Sequence, residues 1–319
     1  MVRRTPTIGF LASIALAVTA FFAFGSPTPA TATQASAIYW ANFNNGTIGT
    51  AGIDGSSPNQ ALITSGVVQP REMAVDANYL YWVNVTGSIG RADLDGTNVN
   101  PTFISTGGSA VNGVAVDANY VYWTDGFTNA MGRANLDGTG IDPNFITGMA
   151  VANSIAVNAT HLYWTNAGNG TVGRANLDGT NAVQNLVSGG NVIYGIALSP
   201  THIYWANYSG GTIGRANLDG TGDDQSFITG ISMPTGVATN ASHVYWGSEG
   251  AGAIGVADLD GANVNLSLVT GGSGPAGIAV FTSSAPPATT TTSTTSTTVA
   301  PTTSTSVASG DPVTPAFTG

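Results

Sequence analysis

The chain contains no cysteine and no lysine, and only 8% of its 319 residues are charged. Without cysteine there is no disulfide to supply stability and no thiolate nucleophile. Without lysine there is no side-chain amine nucleophile, and the seven basic residues are all arginine, set against seventeen carboxylates for a net charge of −10. Such a balance argues against nucleic acid and anionic membrane surfaces as partners. Few charges beside 42% hydrophobic residues imply a large core under a neutral surface rich in Asn, Thr and Gly.

The two ends differ from the middle. Arg3-Arg4, an apolar run from Ile8 to Phe24 and the small-residue pattern Ala30-Thr31-Ala32 read as a secretion signal over residues 1–32, cleaved after Ala32 and followed by a short leader over 33–37; an uncleaved N-terminal anchor is the alternative. Cleavage leaves five arginines against the seventeen carboxylates, a net charge of about −12, and no segment for membrane insertion. From Thr282 to Gly319 the composition turns to Thr, Ser, Pro and Ala, which cannot bury enough apolar surface to offset chain entropy and reads as a disordered spacer. Its end, Pro315-Ala316-Phe317-Thr318-Gly319, resembles a Leu-Ala-x-Thr-Gly sorting signal. Pro315 stands where Leu is expected and no apolar helix follows, so a truncated signal and coincidence both stay open. These features predict an extracellular monomer, and the sorting-signal resemblance implies association with the cell wall.

Between the ends lies a repeat. Tyr-Trp recurs with a period of 41 or 42 residues, and the six tryptophans Trp40, Trp82, Trp123, Trp164, Trp205 and Trp246 all belong to it. Each unit adds a short apolar strand such as Val114-Ala115-Val116, a third segment of the type Ile89-Gly90-Arg91-Ala92-Asp93-Leu94-Asp95-Gly96, and a fourth such as Phe103-Ile104. Four short strands in about forty residues are the mark of a propeller blade. Adjacent apolar residues in Tyr79-Leu80-Tyr81-Trp82-Val83 suit a sheet covered on both faces, and the alanine shared by all six first strands suits the crowded axis. The chain begins its repeat at Ile38 without a first strand and leaves with Gly277–Phe281, a first strand without a second. The expected fold is therefore all-β, a six-bladed propeller over 38–281 of four-stranded blades, closed by the C-terminal strand completing the first blade.

Tyr122-Trp123-Thr124-Asp125, preceded by Val114-Ala115-Val116-Asp117 and followed by the Arg-Ala-x-Leu-Asp-Gly segment, resembles the YWTD (class B) repeat of the low-density lipoprotein receptor family and its bacterial relatives. The resemblance spans Ala37 to Phe281 and implies the six-bladed fold. The Asp position is Asn42, Asn84, Asn166, Asn207 or Ser248 in the other units, and the flanking EGF-like modules of the receptors are missing, so receptor-style ligand release is not implied.

Function is sought where the repeat breaks. His161, His202 and His243 share one repeat position and read as packing residues rather than a metal site. The Asp93–Asn98 and Asp258–Asn263 segments echo calcium loops but lack the closing Glu, and read as hairpin turns. Arg91, Arg133, Arg174 and Arg215 recur in the third strand, with Thr50 and Val256 in the other units, and are expected to pair with carboxylates or carbonyls between blades. No catalytic residue, metal or cofactor is assigned. The residues that refuse to repeat are Phe43, Arg71, Glu72, Phe127, Tyr194, Tyr208 and Glu249, with Met233 beside them. Aromatics among Asn, Gly and Ser suit recognition of a protein or glycan on one face. The expected function is a non-enzymatic binding or scaffolding propeller; the alternative is a hydrolase or lyase acting on a polysaccharide or lactone. Convergence of Glu72 and Glu249 with a divalent ion at the channel mouth would favour the enzyme, and a dry, uncharged channel the binder.

Overall fold

The computed structural model describes residues 35–107 and 110–283. The predicted signal over 1–32 and the Thr-rich tail from residue 284 to its Pro315–Gly319 end lie outside the described residues. Within them are twenty-four strands and no helix, arranged as six separate four-stranded antiparallel sheets.

Five blades are continuous in sequence, and the first is not. Its innermost strand is Pro275–Phe281, which pairs with Ala37–Asn42, followed outward by Thr47–Gly52 and Asn59–Ile63. Trp40 faces Ile278 and Tyr39 faces Ala279 across that junction. The two ends of the chain therefore share one sheet, as expected for closure by the last strand. Blades 2 to 6 begin with the innermost strands Met73–Val75, Val111–Val116, Ala152–Val157, Ile193–Leu198 and Pro234–Thr239. That of blade 2 is half the length of the others.

Why the motif is Tyr-Trp follows from the pleat. Neighbouring residues of a strand point to opposite sheet faces, so Tyr turns to the next blade and Trp to the previous one. Six buried clusters result, joining Tyr39 with Trp82, Tyr81 with Trp123, Tyr122 with Trp164, Tyr163 with Trp205, Tyr204 with Trp246 and Tyr245 with Trp40. The last pair closes the circle. Burying one such ring contributes about 4–6 kcal/mol of gross apolar transfer, which is offset by the entropy of ordering the chain. The indole lies flat on the third strand, where a Cβ at Gly173 would stand 2.2 Å from Trp164. This fixes glycine one residue before each recurring arginine.

The Asp-Gly segments are turns, as the sequence predicts. Asp95 accepts from the amide and hydroxyl of Thr97, and Gly96 has φ +83°. The recurring arginines bridge blades: Arg91, Arg174 and Arg215 donate to the carbonyls of Leu136, Leu218 and Leu259 at 3.1–3.2 Å. Arg91 and Arg133 also lie between two aromatic rings, Tyr79 and Phe103 or Tyr120 and Phe145.

Candidate functional site

At Asn42, Asn84 and Asn166 the position that follows Tyr-Trp-x anchors a loop leading into an innermost strand, and the side-chain Nδ2 donates to the carbonyls of Gln60, Pro101 and Gln184, which a carboxylate cannot do. Oδ1 of Asn42, Asn84 and Asn166 accepts from the amides of Ser273, Val68 and Ala150, each in such a loop. These loops, with those joining the second and third strands, frame one end of the propeller axis.

A cavity of about 270 Å³ opens there. Its wall holds one residue from each blade: Arg71, Asn112, Asn153, Tyr194, Thr235 and Ala276. They stand 41 residues apart, so one repeat position faces the axis all round the ring. Phe43, Tyr208 and Glu249 lean in from the second loops. Six of the seven repeat-breaking residues, Phe43, Arg71, Glu72, Tyr194, Tyr208 and Glu249, thus share one site. Phe127 does not; it stands on a neighbouring loop, 76% exposed. Asn112, Asn153 and Thr235 are missed by sequence reasoning because small polar residues look like ordinary loop. Their 41-residue offset from Arg71 and Tyr194 is the signal that finds them.

The next residue in each blade forms a tighter ring, occupied by Gly113, Gly195, Gly236 and Gly277. A Cβ on Gly195, Gly236 or Gly277 would fall 2.4–2.5 Å from the backbone of the following blade. Glu72 and Ser154 take the two remaining places. Here the innermost strand of blade 2 is short, and the Glu72 side chain extends to accept a 2.8 Å hydrogen bond from Ser154 Oγ, two blades away. Burial pushes the Glu72 carboxyl up to about 8, against the smaller opposing effect of hydrogen bonds from Ser154, Met73 and Ile278. At neutral pH the neck of the funnel therefore holds a neutral carboxylic acid.

Above it the chemistry is mixed. Arg71 donates from a terminal nitrogen to Asn112 Oδ1 and sits 6.0 Å from the centre of the Phe43 ring, while its Nε is buried without a partner. Tyr194 and Tyr208 pack ring to ring at 4.7 Å. Burial and the adjoining Glu249 raise the Tyr208 hydroxyl above its ordinary range. Around the mouth, Val151, Val192 and Met233 are exposed with φ of 51–53°. That left-handed conformation is strained for a β-branched residue, whereas Gly274 occupies the corresponding place in blade 1 at no such cost. The three histidines lie on separate blades, each stacked near its own tyrosine. Among the described residues no three His, Asp or Glu side chains are grouped to hold a metal ion.

No protein-family model matches the sequence, and no curated protein sequence does. Solved structures do resemble it. A chain of the nidogen/laminin complex superposes with a TM-score of 0.68 at 20% identity, covering 77% of this chain and 98% of that one. A streptogramin B lyase gives 0.56 at 17%, covering 77% and 83%. The virginiamycin B lyase from Staphylococcus aureus gives 0.51 at 16%, covering 69% and 76%. At these identities the likeness is one of fold, and with the six closed blades it makes this chain a six-bladed β-propeller.

Proposed function

We propose that this propeller is an extracellular binding module whose axial funnel receives a group projecting from a partner protein. The observation that carries the reading is the convergence of six repeat-breaking residues on one cavity while the rest of the ring repeats. A half-buried aromatic pair, an arginine and a surrounding exposed apolar rim are the ingredients of a protein interface. The strain held at Val151 and Val192 supports the same reading, because apolar side chains persist there where glycine would relax the backbone. The described ends of the chain meet at Ser36 and Ser283, at the opposite ends of their strands from the funnel.

The test is binding to secreted-protein and glycan arrays by the wild type beside an Arg71→Ala/Tyr194→Ala/Tyr208→Ala variant, all three positions lying in the funnel wall. Protein ligands that the variant loses support the proposal. Equal binding by both removes the site, and glycan ligands alone replace the partner class.

A second reading rests on Glu72. A carboxyl still protonated at neutral pH, in the same cavity as Glu249, is the pairing an acid–base enzyme uses, and two lyases share the fold. Turnover of a lactone or uronate polysaccharide that disappears in Glu72→Gln would favour it.

A further inference from the structure

The joint between blade 6 and blade 1 contains a second cavity, of about 390 Å³, at the other end of the strands from the funnel. Its origin can be read by comparing it with blade 4. There Arg174 lies beside His161 and Tyr163, whose hydrophobic cluster includes Leu186, and donates to the Leu218 carbonyl of the following blade at 3.1 Å. Every one of those positions recurs 82 residues later in blade 6: His243 for His161, Tyr245 for Tyr163, Leu268 for Leu186. The arginine alone is missing. Val256 stands in its place, and the space that a guanidinium fills in blade 4 is open.

The walls that hold the cation are still present, with more negative charge. Ile53 takes the place of Leu218, so its carbonyl occupies the position of the acceptor. Asp54 takes the place of Asp219, whose carboxyl is held below the ordinary range by Thr221 and further lowered by the Arg174 charge. Asp258 replaces the neutral Asn176. Its Oδ1 lies 3.4 Å from His243 Nε2, and its Oδ2 accepts from Asn263 at 2.7 Å. Both side chains are about one-third exposed or more, so solutes have access.

We propose that this slot is a binding site for an alkylguanidinium ion, taking from outside the group that four other blades supply from within. The recognition elements are the Tyr245 and His243 rings, the Ile53 carbonyl, and the Asp54 and Asp258 carboxylates. Two sources carry such a group: a free guanidinium compound and an arginine side chain of another protein.

With only three histidines, imidazole proton resonances of the intact protein report on each slot separately. Agmatine and the tripeptide Gly-Arg-Gly amide are titrated, with urea as a neutral isostere. The expected result is a saturable shift of the His243 signal, no change at His161 and His202, whose slots hold Arg174 and Arg215, and no effect of urea. Tighter binding of agmatine points to a free ligand, and tighter binding of the tripeptide to a protein side chain. Val256→Arg should abolish the response. If that variant misfolds, Val256→Met, which fills the space without charge, should do the same. Asp258→Asn should weaken binding about fivefold, the scale of a partly exposed ion pair. No shift at His243, equal shifts of all three histidines, or undiminished binding after the slot is filled would overturn the proposal.

Discussion

Replacing Glu72 by glutamine should stabilise the protein, by an amount that depends on pH. The folded carboxyl titrates at about 8 and an ordinary one at 4.5, so between these values the folded chain holds a proton that the unfolded chain has released. Folding stability therefore declines as pH rises from about 4.5 to about 8 and is flat in this respect on either side. Each pH unit in that window is worth about 1.4 kcal/mol. The wild type should thus be destabilised, relative to its acid form, by on the order of 3 kcal/mol at pH 7 and 5 kcal/mol above pH 8. Glutamine has the same shape, can still accept from Ser154 and cannot ionise. Urea unfolding at pH 5, 7 and 9 should show the two proteins nearly equal at pH 5 and progressively separated above it. A melting difference of about 6–12 °C is expected at pH 7 for a domain of this size. A gap that does not vary with pH, or a variant that is less stable at pH 9, would show that Glu72 is ionised in the folded state and that the neck is wetter than its burial indicates.

Two further outcomes test the architecture. Trp40, Trp164 and Trp205 donate to Gln60, Gln184 and Gln225, whereas Trp246 Nε1 is buried without a partner and Leu266 occupies the glutamine position. Leu266→Gln should add about 1 kcal/mol and raise the melting temperature by a few degrees; an unchanged or lower value counts against the missing bond. Deleting 277–281 removes the strand that pairs with Tyr39 and Trp40, and the cooperative transition should be lost in circular dichroism. A truncated chain that melts like the parent would contradict closure through this strand.

Much of the fold was legible because the repeat reports the same environment six times. Tyr at each second strand, glycine before each arginine and alanine on each inner strand are single answers to single packing problems. The site was legible only in part. Arg71, Tyr194, Tyr208 and Glu249 stood out as departures, yet Phe127 departs equally and faces solvent. Ser154, the partner of Glu72, lies 82 residues from it and carries no mark of its own. Val256 was visible as a missing arginine, but that its absence leaves an open slot rather than a repacked core depends on what surrounds it.

The sequence by itself determined the number of blades, their strands and the closure of the ring, since these follow from periodicity and from a repeat array whose first unit lacks the strand that Gly277–Phe281 supplies. Tertiary structure decided which of the irregular residues meet. Convergence on an axis is a property of the closed ring: residues 41 apart become neighbours there, and a carboxyl that would be ordinary on a loop becomes a buried acid once six strands surround it.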